Sequence, residues 1–161
     1  MRPKDIPDVL EIEKVSFSNS WRSQDFEYAL NKAEGICRVC REAGVLLGYT
    51  VGFLVETELH LSDFAVHPAK QRRGYGSTIL KLFLAQLIDQ DVKVVTLEVR
   101  RSNARAVGMY SKAGFQTVAI RDDYYSRPVE DAFVMLKTLD GTLSDWLPGW
   151  PISTAKTGES S

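Results

Sequence analysis

Two side chains in the second half of the chain have types that can move a proton. Glu98 interrupts the apolar stretch "VVTLEV", and Tyr110 follows in "NARAVGMYSKA". An ionisable carboxyl in so apolar a strand is costly unless it has a role or a partner. Upstream, "HPAKQRRGYGSTIL" wedges Arg72 and Arg73 against Gly74-Tyr75-Gly76, directly before an amphipathic apolar run. A helix starting there presents unpaired amides and the positive end of its dipole. Glycine clears side chains from the approach of an anion, and the two guanidiniums add charge at the same spot. The combination suits a diphosphate. It is neither a Walker A loop, which needs a lysine after its last glycine, nor a dinucleotide fingerprint, whose third glycine is missing. Taken alone, the glycines would sooner be read as merely easing a turn. Glu98 could be a structural carboxylate paired with Arg100 or Arg105, and Tyr110 a half-buried core aromatic.

These residues need elements to hold them. Apolar residues at 6, 9, 10, 12 and 15 predict a helix from Asp5 to about Phe17, with Asp5 available as its N-cap. After the loop "SNSWRS", Ser23 is expected to cap a second helix running to about Asn31. Strands follow at about 36–42, 45–55 and 58–66, the last alternating Leu59, Leu61 and Asp63 against His60, Ser62 and Phe64. A long helix is expected from Gly74 to about Asp89. The β-branched run 92–99 then reads as a strand buried on both faces, with Glu98 beside Thr96 and Val94 and opposite Leu97 and Val95. A further helix begins at Asn103 and stops at Gly114. Tyr110 is seven residues past Asn103, about 20° away on an ideal helix, so the two share a face. "FQTVAIRDDYY" and "DAFVMLKTL", joined by "SRPVE", supply two closing strands. The order α-α-β-β-β-α-β-α-β-β predicts a mixed sheet with helices on its faces, an α/β or α+β sandwich.

Bulk properties narrow the function. The 161 residues make one domain, and a formal net charge of −1 argues against a nucleic-acid partner, which asks for a basic stripe. No apolar run approaches the roughly 18 residues of a membrane span, and "MRPKDIPDVLEIE" lacks the apolar core of a signal peptide, so a cytoplasmic location and no membrane partner are expected. Cys37 and Cys40 form a C-x-x-C, but on a strand residues three apart point to opposite faces, so reduced thiols are expected rather than a metal or redox site.

With these residues in view, the chain resembles the GNAT superfamily of acyl-CoA-dependent N-acetyltransferases. "QRRGYG" resembles the family's Q/R-x-x-G-x-G/A motif. "FAVHPAKQRRGYGSTILKLFLAQL" resembles its strand, pyrophosphate loop and helix, and "LEVRRSNARAVGMYSKAGF" the strand and helix after it. The likeness runs from about Met1 to Leu139 and is strongest toward the ribosomal-protein alanine N-acetyltransferase (RimI-like) type. It implies a mixed, mostly antiparallel sheet of about six to seven strands flanked by about four helices. The backbone of Phe64, Ala65 and Val66 would pair with the pantetheine arm of acetyl-CoA, and the amides of Arg72, Arg73, Gly74, Tyr75, Gly76 and Ser77 would wrap its pyrophosphate. Asn103 would hydrogen-bond the same co-substrate; no metal is implied. Glu98 would be the general base that deprotonates a primary amine and Tyr110 the acid that protonates the leaving sulfur.

The implied acceptor is the N-terminal α-amino group of a protein, such as a ribosomal protein. A small amine or lysine side chain, or a non-catalytic acyl-CoA-binding module, are the alternatives. Trp21, in the loop between the first two helices, and the pair Tyr124-Tyr125 would line the acceptor groove. Asp122, Asp123, Glu130 and Asp131 would make its mouth acidic and favour a cationic peptide. The sequence departs from the family at both ends. Only Met1-Arg2-Pro3 precede Asp5, so the family's first strand is expected to be clipped or absent. Residues 140–161, with Trp146 and Trp150, read as a tail whose tryptophans dock on the body.

Overall fold

The computed structural model describes residues 1–141; Trp146 and Trp150 lie outside them. Two helices, α1 (Ile6–Ser16) and α2 (Ser23–Asn31), lead into three strands, β1 (Gly35–Glu42), β2 (Val45–Val55) and β3 (Glu58–Val66). Helix α3 (Tyr75–Ile88), strand β4 (Val94–Arg100), helix α4 (Ala104–Lys112), and strands β5 (Gln116–Ser126) and β6 (Val129–Thr138) complete the order expected from the sequence. The strands form one sheet in the order β1-β2-β3-β4-β6-β5. Every pairing is antiparallel except that of β3 with β4.

The sheet separates two cores. On one face α3 and α4 cover Leu59, Leu61, Val95, Leu97 and Val99, with Leu80, Phe83, Leu87 and Tyr110 packed down from the helices. On the other, α1 and α2 bring Ile6, Val9, Ile12 and Phe26 onto Cys37, Tyr49, Val51 and Ala65. Removing this much apolar surface from water is the main force holding helices to sheet. Cys37 is buried under α1 and α2, whereas Cys40 lines a concavity with Ile79 and Phe83 of α3; both thiols are free and they diverge as expected.

Four local expectations are corrected. Asp5 does not cap α1. Its carboxyl accepts the Arg2 amide (2.7 Å) to close a 3-10 turn at Pro3–Asp5 and pairs with Arg41 (2.9 Å). Ser23 is the first residue of α2 rather than its cap, because Asp25 reaches back to the Arg22 amide (2.7 Å) and sets the start there. The alternation read along 58–66 breaks where the β2–β3 register jumps from Gly52↔Leu61 to Val51↔Asp63, leaving Ser62 as a bulge. An extra residue flips everything after it. Phe64 therefore joins Leu59 and Leu61 on the α3/α4 face, and Asp63 turns under α1. β4 differs too: only its Val95-Leu97-Val99 side is fully buried along its length, while Thr96 and Glu98 are half-buried.

Among the described residues no strand precedes α1; the Met1 ammonium donates instead to the Cys37 carbonyl of edge strand β1 (3.0 Å). None of the described helices is long and apolar enough to cross a membrane.

Candidate active site

β3 and β4 share only three rungs, Glu58↔Val94, Leu59↔Val95 and His60↔Thr96. Beyond His60 the strands diverge, so Phe64, Ala65 and Val66 keep their β2 partners and face an opening on the other side. At the mouth of this opening, the chain turns through a loop in which Arg72 (φ 62°) and Gly74 (φ 81°) are both left-handed. A non-glycine residue held there is uncommon, and such backbone gathers amides into an anion-binding concavity. The first backbone bond at the start of α3 is Thr78 N to Gly74 O (3.0 Å), so the amides of Tyr75, Gly76 and Ser77 have no helix carbonyl to reach. A side chain at Gly76 would meet Met109 Sδ at 3.1 Å, so glycine there lets α3 pass close to α4. A strand edge with free backbone groups beside a bare helix N-terminus fits an amide-bearing arm joined to a pyrophosphate.

Asn103 is the N-cap of α4, its Oδ1 accepting the Ala106 amide (3.1 Å), which leaves its amide nitrogen as the free donor. Gln71 fastens the cradle, donating to Val66 O (3.1 Å) and accepting from Arg105 (3.3 Å).

Glu98 lies on the α1/α2 face of β4 where the opening begins, its side chain 7% exposed. It pairs with neither Arg100 nor Arg105. His60 Nε2 lies 3.0 Å from one carboxyl oxygen and Arg121 Nη1 3.0 Å from the other. The His60 hydrogen bond, aided by the charge of Arg121, holds this carboxyl below the usual glutamate range despite its burial. His60 Nδ1 in turn meets Thr96 Oγ1 (3.2 Å), which fixes the ring.

Tyr124 and Tyr125 stand beside this carboxylate, edge to face with centroids 5.0 Å apart. A two-residue offset in the β5–β6 register between Arg121 and Tyr125 aims them there. Burial raises both phenols, Tyr125 to about 12, and the negative charge of Glu98 adds to each. Tyr110 approaches from the α4 side, buried between Phe64 and Phe115 (6.5 and 5.5 Å between centroids). Burial pushes its phenol well up, so it keeps its proton at any working pH. Trp21 sits half-buried on the α1/α2 side, its ring 5.2 Å from Phe26.

Arg100 joins the walls of the groove. Its guanidinium donates to Ser18 Oγ (3.3 Å), Arg127 O (3.0 Å) and Glu130 (3.1 Å), and stacks 4.1 Å from the Tyr125 ring. Ser18 itself donates to Arg127 O (2.6 Å). Glu130 is thus committed to Arg100 and the Ser102 amide, and Asp131 to Arg101 and the Asp123 amide. Two of the four carboxylates expected to make the groove mouth acidic serve the hairpin instead.

Sequence reasoning missed His60, Arg121, Arg100, Glu13 and Asp63. Two of these left a trace. Glu13 falls on the apolar spacing 6, 9, 13 of α1, and Asp63 aligned with the buried Leu59 and Leu61; a carboxyl in either place signals a buried partner. Nothing in the order of residues brings His60 and Arg121 to Glu98, because both contacts depend on strand order.

The fold and the family match together make the chain an acyltransferase, an N-acetyltransferase. The chain belongs to the Acetyltransferase (GNAT) family, which matches residues 6–115. The ribosomal protein bS18-alanine N-acetyltransferase of Escherichia coli (strain K12) is 31% identical over 134 residues, covering 81% of this chain and 89% of that protein. The crystal structure of the Escherichia coli enzyme superposes with a TM-score of 0.82 at 27% identity, over 88% of this chain and 92% of that one. Ard1 from Thermoplasma volcanium gives a TM-score of 0.79 at 29% identity, over 88% and 95%.

Proposed function

We propose that this enzyme transfers the acetyl group of acetyl-CoA to the N-terminal α-amino group of a protein, with alanine-first ribosomal proteins the leading candidates. The observation that carries the reading is a charged Glu98 at the β3–β4 opening, flanked by Tyr124 and Tyr125. The likeness to the bS18-alanine enzyme supports the same choice of acceptor.

Acetyl-CoA supplies the thioester that the amine attacks. The backbone of Phe64, Ala65 and Val66 would hold its arm, the amides from Arg72 to Ser77 would hold its pyrophosphate, and the Asn103 side chain would hydrogen-bond it. An α-amino group titrates near 7.7–8.0, so most of it carries a proton at neutral pH. Glu98 takes that proton. Its lowered proton affinity keeps it ionised and lets it release the proton again. His60, hydrogen-bonded to the same carboxylate and with its side chain 41% exposed, stands between Glu98 and solvent. Tyr110, still protonated, donates to the departing sulfur. Trp21 and the Tyr124-Tyr125 pair line the path of the amine, and Arg100 keeps the two sides of that path together.

The test is incubation with acetyl-CoA and peptides beginning with Ala, Ser or Met, each with an internal lysine, read by fragment mass. Acetyl on the α-nitrogen of the Ala-first peptide is expected. Acetyl on the lysine alone would overturn the reading.

A further inference from the structure

We propose that Glu13 and Asp63 hold a single proton between them, and that this shared proton ties α1 and the acceptor-side loop to the bulged strand that presents the cofactor arm. The tie to acceptor binding rests on the reading of the groove given above; the shared proton does not.

The two carboxyls are among the most buried polar groups in the molecule, with Glu13 1% and Asp63 6% exposed. Glu13 Oε1 accepts the Trp21 amide (2.7 Å), and Oε2 accepts the Tyr49 hydroxyl. The Glu13 carboxyl also meets that of Asp63. Among the described residues neither has a cationic partner. Asp63 Oδ2 is buried and meets no donor. Two carboxylates in contact, without a counterion and out of water, cannot both stay charged. One proton placed between them removes the repulsion and gives the orphaned oxygen its hydrogen bond.

The surroundings leave no other source of balance. Tyr49 faces the pair from β2 and Tyr110 feels Asp63 from α4; both phenols are raised by burial first and by the Asp63 charge next, so both remain neutral. From α2 come Phe26 and Ala29, which do not titrate. Burial raises Glu13 and raises Asp63 well above its ordinary range, with the Glu13 charge the next cause for Asp63.

The position gives the pair its role. Asp63 is the first residue after the Ser62 bulge and adjoins Phe64, where the free strand edge begins. Glu13 holds Trp21, on the acceptor side. Loss of the last proton sets α1 against β3, so the acceptor side loosens while the α3 cradle, on the opposite face, is untouched.

The experiment compares wild type, Asp63→Asn and Glu13→Gln across pH 4 to 10, since either amide supplies a permanent donor. Three quantities are read: unfolding free energy in denaturant, the Kd for coenzyme A by calorimetry, and KM for the best acceptor among Ala-, Ser- and Met-first peptides, spermidine and Nα-acetyl-lysine. A carboxyl whose folded pKa is raised binds its proton more tightly in the folded state. Its contribution to stability is therefore complete in acid and is lost as pH rises from the ordinary carboxylate range to the folded titration. Each variant should gain relative to wild type over that span, by up to about tenfold in the folded-to-unfolded ratio per pH unit. Wild-type acceptor KM should climb at the alkaline end relative to that of the variants, with Kd for coenzyme A equal in the three proteins at each pH. Parallel stability curves would overturn the shared proton. Altered stability slopes with acceptor KM rising equally in all three proteins would overturn the tie to the acceptor loop. Turnover of spermidine or Nα-acetyl-lysine alone would defeat the N-terminal reading and still leave both arms readable. Should Asp63→Asn fail to fold, Glu13→Gln carries the same expectations.

Discussion

Glu98 and the Glu13–Asp63 pair are carboxyls set on the same face of one sheet. Their chemistry is nonetheless opposite. Glu98 meets His60 and Arg121, each at 3.0 Å, and is held charged. Asp63 meets another carboxyl and a phenol and is driven toward its neutral form. Burial alone raises every carboxyl; what separates these two is that Glu98 is reached by the His60 hydrogen bond and the Arg121 charge, and Asp63 by another carboxyl. The sheet thus holds, a strand apart, a carboxylate held charged and a carboxyl driven toward its neutral form.

The strongest way to break that contrast is Glu98→Gln, which removes the ionised member. It should lower kcat/KM by about 10²-fold or more while leaving the Kd for coenzyme A unchanged, checked by steady-state kinetics and calorimetry. Unchanged turnover would remove Glu98 from the role of base.

His60→Ala should make Glu98 behave more like the other pair. The bond to His60 is the main cause of the lowered pKa, so its loss raises the pKa and moves the acid limb of the kcat/KM profile to higher pH. In wild type this carboxyl stabilises the fold above the ordinary glutamate range, and that contribution is lost as pH falls through the lowered folded pKa. The variant should give up most of it. Each unit of upward shift would appear as about tenfold slower turnover at a pH below the limb. An unmoved limb would mean that Arg121 suffices.

Tyr49→Phe should touch rate least. It deletes the hydroxyl that Glu13 Oε2 accepts, leaving a buried carboxyl oxygen short of a donor. A loss of about 1–3 kcal/mol in unfolding free energy is expected, with kcat/KM at neutral pH within about twofold of wild type.

The order of elements was legible because each rests on local signals: apolar spacing in α1 and α3, β-branched runs in β2 and β4, and the glycine at 114 that ends α4. The cradle was legible for the same reason, since a glycine loop and the helix after it are contiguous. Ser62 was not. A bulge shows only in how β3 pairs with β2, and without it Asp63 was assigned to the wrong side. The partners of Glu98 were hidden likewise, because His60 and Arg121 are 38 and 23 residues away and meet it only through the order β3-β4-β6-β5. Asp5 and Ser23 failed as caps because Arg2 and Arg22 lie within reach of a carboxylate three residues on.

The three rungs between β3 and β4 have a mechanical meaning. The sheet is two leaves, β1-β2-β3 and β4-β6-β5, hinged at one end and bridged elsewhere by helices. Whatever lies along the free edge of β3 becomes the missing spine between the leaves. Donor binding should therefore stiffen regions far from the donor, and slow exchange of backbone amides in both leaves would be its signature.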